Sequence, residues 1–299
     1  MSNIKRIKQH IKEERKHMGL KAKNKLVNGI VYAVLITMCI VWMIPFVCIL
    51  LESFRTETTA QVGYIIPKQW GLDNYINLFK NTNFIKWYGN TITIGLFVSV
   101  IQTLIVLSMS YTLSRLRFKG RKLLMNFMLV LGMFPGFLSM ILLYKVLSNL
   151  GLTGANSVPG LILVYCASSG MGYYISKGFF DTIPRTLDEA ARIDGATRLQ
   201  VFYKVIMPLA KPIVIYTILS AFMAPWGDFM FAKYIAHANS DGMNVAVGLQ
   251  NLIGSVMSVS KGYTMFCAGG VLVAIPIAVL FMLLQKYYVE GVTGGAVKG

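Results

Sequence analysis

Charge is scarce in this chain, and acidic charge above all. Of 299 residues only 12 are Asp or Glu, against 29 Lys or Arg, and charged residues make up 14% of the sequence. Soluble domains carry about 25% charged residues, so the shortfall excludes an ordinary soluble fold. Histidine and cysteine are rare too. His10 and His17 lie near the N-terminus and His237 far from both, so no ligand spacing for a metal and no cluster for a membrane-embedded enzyme emerges. Cys39, Cys48, Cys166 and Cys267 fall in apolar stretches and read as buried small hydrophobes. No G-x-x-x-x-G-K-[ST] phosphate loop occurs, so the chain carries no such ATP site of its own. Residues 1–28 lack an apolar core followed by a small-residue cleavage site, and do not read as a cleavable signal peptide.

What is abundant is apolar. Hydrophobic residues make up 55% of the chain and the mean hydropathy is +0.59. Crossing ~30 Å of hydrocarbon takes about 20 helical residues. Six segments qualify, at residues 29–51, 91–113, 123–144, 159–180, 207–230 and 264–285. The fourth carries the small-residue run "ASSGMG", and the fifth is interrupted by Pro208, Pro212 and Pro225. Such breaks are tolerated where neighbouring helices satisfy the backbone, which places these two inside a bundle. The reading is an all-α integral membrane protein with six transmembrane helices.

The basic residues orient it. The tail 1–28, the loop "SRLRFKGRK", the stretch from Lys177 to Lys211 and the C-terminal end together hold 22 Lys and Arg, and the three opposite loops hold seven. The positive-inside rule puts both termini in the cytoplasm. The net charge of +17 then faces anionic lipid headgroups and calls for no nucleic acid. Ile4, Ile7 and Ile11 share one helical face among lysines, as in a helix on a membrane surface, although a solvated basic tail explains them as well.

One polar stretch interrupts the pattern on the cytoplasmic side: "LDEAARIDGATRLQVFYKVIMPLAKP", between the fourth and fifth spans. Thr186 followed by Glu189 reads as a capping box, with Asp188 and Glu189 in the first helical turn where carboxylates suit the dipole. Gly195 reads as the helix stop. A second helix is expected from about Thr197, with Leu199, Phe202 and Val205 toward one face and Pro208 at the entry to the fifth span. Ala190, Ala191, Gly195 and Ala196 would let another surface approach closely. An ordinary loop with a helical turn is the alternative at this level.

The string "EAARIDGATRLQVFYKVIMP" resembles the EAA motif of ABC importer permeases, with Glu189, Ala190, Ala191, Gly195 and Pro208 at the motif positions and Val205 and Met207 replacing the usual Ile and Leu. "GMFPGFLSMILLY", "MNVAVGLQ", "SRLRFKG" and the terminal "GVTGGAVKG" extend the resemblance to the maltose/maltodextrin subfamily of the MalG type.

That resemblance implies a permease domain at 29–290 between the basic tail 1–28 and a cytoplasmic tail 291–299. Its coupling loop, 184–208, would place a coupling helix in a cleft of an ATPase. Glu189, Ala190, Ala191, Asp194, Gly195 and Pro208 would form that contact, and Gly294, Gly295 and Ala296 would reach between two ATPase subunits. A second related permease, two ATPase subunits and an extracellular sugar-binding protein are the implied partners. ATP and Mg would be bound by the ATPase, with no cofactor in this chain. The loop "NSDGMNVAVGLQNLIGSVMSVSKGY" would meet the binding protein. Trp226, Asp228 and Gln102 are candidates for a sugar path, since polar groups in apolar spans are usually functional. The transported sugar would be a maltodextrin or another oligosaccharide such as a galacto-oligosaccharide. A secondary transporter would need internal repeats and midplane ion ligands, which the sequence does not display.

Overall fold

The computed structural model describes residues 2–57, 64–133, 136–168, 170–237, 241–253 and 261–293. Among them the regular structure is helical, apart from one isolated antiparallel bridge between Arg55 and Trp70. Helix α1 runs unbroken over Ser2–Ser53, so the basic tail and the first span share one helix. Helices α2 (Asp73–Asn81) and α3 (Phe84–Arg115) follow. The third predicted span is covered by α4 (Arg121–Gly132) and α5 (Gly136–Asn149), the fourth by α6 (Ser157–Ala167) and α7 (Gly170–Thr182).

Val27–Ser53, Phe84–Arg115 and Gly262–Lys286 are each long and apolar enough to cross a membrane alone. Two helix pairs bent by 104° and 84° raise the number among the described residues to five if each pair is one span. The second of these bends sits inside the predicted fifth span. Helix α11 (Lys211–Gly227) starts after a break at Ala210, with Pro212 in its first turn where the missing N–H costs nothing. Residues 207–209, assigned to the span from hydropathy alone, instead belong to the polar insert that precedes it.

Helix α3 is the central element. It packs on α6, α7, α11 and on α13 (Val245–Ile253), while α14 (Lys261–Thr293) packs on α1, α2, α11 and α13. Two apolar cores result. The larger gathers Trp87, Ile94, Val98, Leu161, Trp226 and Val245. The smaller gathers Leu107, Phe180, Ile183, Val201, Ile206 and Ile213 beneath the polar insert. Most of α1 has no such cover: Trp42, Phe46 and Tyr32 are exposed, as is Cys39. Cys166 and Cys267 are buried as expected, but Cys39 is not, because the helix carrying it packs on few neighbours.

Beyond α1 the chain is pinned by Arg55, whose side chain is 2% exposed. It pairs with Glu52 at 2.9 Å and Glu57 at 3.0 Å. It also donates to the carbonyls of Tyr64 and Ile65. A guanidinium has five N–H donors and a buried one must use them; Arg55 thereby closes the loop after α1. Asn74 donates to the carbonyls of Ser53 and Arg55 and accepts from Thr264, tying α1, α2 and α14 together.

Candidate functional site

The polar insert folds as two short helices around a glycine corner. Helix α8 (Thr186–Ile193) has Asp188 and Glu189 in its first turn and Arg192 in its last, both favourable to the helix dipole. Gly195 stops it at φ +86°. The Ala196 N–H donates to the Ala191 carbonyl and the Gly195 N–H to the Arg192 carbonyl, the two bonds of a Schellman motif. A glycine at this left-handed position avoids the strain a Cβ would bring.

The start of α8 differs from the expected one. Pro184 and Arg185 already form the first turn, with the Leu187 N–H on the Pro184 carbonyl, so Thr186 lies inside the helix and makes no capping bond. The capping box sits eleven residues later. The Thr197 N–H donates to the Gln200 side chain at 2.8 Å and the Gln200 N–H to the Thr197 hydroxyl at 3.3 Å, starting α9 (Arg198–Gln200).

From there the backbone is a π-helix over Val201–Ile206 before α10 (Met207–Leu209). This changes the buried face. Leu199 is 68% exposed, and Val201 and Ile206 are the buried residues. They are five positions apart, the repeat that i→i+5 bonding aligns and an α-helix does not.

The insert is anchored on one side and bare on the other. Asp188 forms an ion pair with Arg115, at the end of α3, with Nε–Oδ2 at 2.9 Å and side chains 15% and 5% exposed. Arg115 also donates to the Ile183 carbonyl, and Arg185 donates to the Ser114 carbonyl. Burial pushes the Asp188 carboxyl above its ordinary range, and Arg115 and Arg185 offset that only in part. On the other side Glu189, Ala190, Asp194, Gly195 and Pro208 are exposed, and Ile193 is 86% exposed at the tip. Ala191 and Ala196 lean on the smaller core.

Gln102 and Asp228 meet at one residue. The Gln102 amide donates to the Tyr165 carbonyl at 3.0 Å, and the Tyr165 hydroxyl donates to Asp228 at 2.6 Å. Asp228 also accepts from the Phe231 N–H at the start of α12 (Met230–Ala236). Trp226 stands apart. It is buried in the larger core against Tyr88 and Phe222, and its indole N–H has no hydrogen-bond partner among the described residues.

Within "MNVAVGLQ", Asn244 is fully buried, and its amide donates to the carbonyls of Pro225 and Asp228. Its side-chain oxygen accepts from the Val247 N–H at the start of α13. Gly248 abuts the Trp87 indole, which a Cβ would meet at 2.1 Å. The three small tail residues Gly294, Gly295 and Ala296 lie outside the described residues, as do parts of the loop around α13.

Residues 105–294 match the family described as binding-protein-dependent transport system inner membrane component. The chain belongs to that family. The permease is 36% identical to the maltodextrin transport system permease protein MdxG of Bacillus subtilis over 90% of this chain and 95% of that protein. It is also 36% identical to the galactooligosaccharides transport system permease protein GanQ of the same organism, over 90% and 94%. Its fold matches a solved bacterial ABC transporter involved in the import of the acidic polysaccharide alginate. The TM-score there is 0.73 and the identity 23%, covering 88% of this chain and 96% of that one. The permease is therefore a bacterial membrane transport component, and its family is not one of enzymes.

Two structural features of the insert and its anchor escaped the sequence reading. Arg115 counted there only as one positive charge of a basic loop, and Ile193 as one apolar residue of a short helix. The Arg115–Asp188 pairing joins positions 73 residues apart, so no local pattern announces it. Ile193 had a usable signal: an isoleucine two residues before a helix-stopping glycine has no turn beyond it to hide under.

Proposed function

We propose that this permease is one of two related membrane subunits of an ATP-driven importer that carries maltodextrin-type oligosaccharides into the cell. Its six spans leave both termini in the cytoplasm, and α8 docks in a cleft of a separate ATPase subunit that binds ATP and Mg. The observation that carries this reading is the two-sided build of the insert. Glu189, Ala190 and Ile193 face outward, while Asp188 is locked to Arg115 above a closed apolar core. A unit fixed to α3, α7 and α11 passes displacement into those helices, which a free loop would not.

ATP-driven closure of two ATPase subunits would bring this unit toward its counterpart and shift the permease pair between inward- and outward-open states, a two-state element biased from a distance. An extracellular sugar-binding protein delivers the substrate at the loop around α13. The Gly294–Ala296 tail reaches the ATPase pair. Gln102 and Asp228, joined through Tyr165, lie beside the sugar path; Trp226 supports it from the core. A galacto-oligosaccharide is the second reading, favoured by a relative equally identical to the maltodextrin one.

The test is affinity purification from native membranes with an N-terminal tag, for wild type and Glu189→Lys. Copurification of an ATPase and a second permease with wild type, and loss of the ATPase from the variant, is the expected result. A chain that purifies alone, or an ATPase retained by Glu189→Lys, overturns the coupling role. Uptake of labelled maltotriose against labelled galactobiose by cells decides the sugar class.

A further inference from the structure

Between the end of α3 and the insert lies a cavity of about 280 Å³ lined by Tyr111, Arg115, Arg117, Asp188, Arg192 and Arg198 among others. Four guanidiniums face one carboxylate. That carboxylate is committed to Arg115, and Arg117, Arg192 and Arg198 have no carboxylate within 4.0 Å among the described residues. Three uncompensated arginines in one hollow invite a compact anion, because their mutual repulsion falls when it binds.

A second hollow of about 310 Å³ shares Tyr111, Leu116 and Arg198 with the first and continues along Ser108, Thr112, Leu199 and Phe202. It leads from the basic hollow along α3, a helix apolar enough to span a membrane. The exposed Leu199, misplaced for packing onto the smaller core, lines it.

We infer that the two hollows together bind one anionic phospholipid, its phosphate among Arg117, Arg192 and Arg198 and an acyl chain along Leu199 and Phe202. Basic pockets between membrane helices at a charged face bind such headgroups. The site is offset from the proposed docking face: Arg192 follows Asp188 by four residues and shares its side of α8, whereas Glu189 and Ile193 share a face turned about 100° from it. The lipid would brace the insert against α3 without touching that face.

The experiment is native mass spectrometry of the full-length permease, with any subunits it carries, released from nanodiscs of phosphatidylglycerol and phosphatidylcholine. Wild type is expected to retain one phosphatidylglycerol and no phosphatidylcholine. At about fivefold for each arginine near an anionic headgroup, Arg192→Gln with Arg198→Gln lowers phosphatidylglycerol affinity about 25-fold. Arg121→Gln with Lys122→Gln, which line a separate hollow, is expected to change it less than twofold. Leu199→Ser lowers affinity for phosphatidylglycerol and leaves that for inorganic phosphate unchanged.

Equal losses in the two paired variants would mean diffuse surface charge and overturn the site. Inorganic phosphate displacing the lipid at similar concentration would reduce it to an anion site and overturn the lipid assignment. Release of a copurified subunit by the Arg192/Arg198 pair, with phosphatidylglycerol retained, would make the hollow a protein contact and overturn it as well.

Discussion

Arg115 and Asp188 tie the insert to the end of α3 through a nearly buried ion pair at 2.9 Å, beside the bond from Arg185 to the Ser114 carbonyl. Removing one partner of a buried pair leaves the other charge uncompensated and typically costs about 3–5 kcal/mol. Arg115→Ala should therefore lower the melting temperature strongly. Asp188→Asn should cost less, because burial already disfavours the charged carboxyl. Differential scanning fluorimetry of the two variants in one detergent checks the order, and a larger loss for Asp188→Asn would refute it.

Ile193 offers the reverse case. It is 86% exposed, and a surface substitution away from packing stays within about 0.5 kcal/mol. Ile193→Ser should leave the melting temperature unchanged and reduce sugar-stimulated ATP hydrolysis by the reconstituted importer. Unchanged hydrolysis would remove Ile193 from the docking face.

Gly195 is a conformational requirement without a steric one. It sits at φ +86° and a Cβ there meets nothing within 4 Å. Gly195→Ala should cost about 1–2 kcal/mol from the left-handed backbone alone, and Gly195→Asn less, since asparagine tolerates that region. Thermal unfolding of the pair measures this, and equal shifts would show that space matters after all.

Gly248 is steric instead. Its added Cβ would lie 2.1 Å from the Trp87 ring, and overpacking of this kind costs about 1–3 kcal/mol. Gly248→Ala should be destabilising, and Trp87→Leu in the same chain should recover part of the loss. Additive losses in the double variant would count against the contact.

Asn244 caps α11 from a distance by donating to Pro225 and Asp228. Asn244→Leu fills the same space without those donors. Leaving buried carbonyls unpaired costs about 1–3 kcal/mol, and hydrogen exchange at residues 226–236 should accelerate relative to the rest of the bundle.

Much of this was legible in the chain. Long apolar runs and scarce charge set the membrane class, because a helix in hydrocarbon must be both long and apolar. The glycine at 195 and the "EAARIDG" spacing fixed a helix and its stop, because both depend on neighbours within a few positions. The N-cap was misread at Thr186, since Pro184 begins the turn earlier and a capping pattern does not tell which of two nearby starts the backbone takes.

What only the tertiary structure decided is what each face meets. The π-helical register at Val201–Ile206 chose Val201 and Ile206 over Leu199 for the core. Trp226 went inward against Tyr88 and Phe222, while Gln102 and Asp228 were brought to Tyr165 from helices far apart in sequence. The sequence by itself determined that these are helices, that Gly195 stops one of them, and that the chain is apolar enough to enter a membrane, because those properties rest on local sterics and composition. Pairings such as Arg115 with Asp188 depend on how α3 and α8 are placed relative to one another, and that placement is set by the packing of two separate cores.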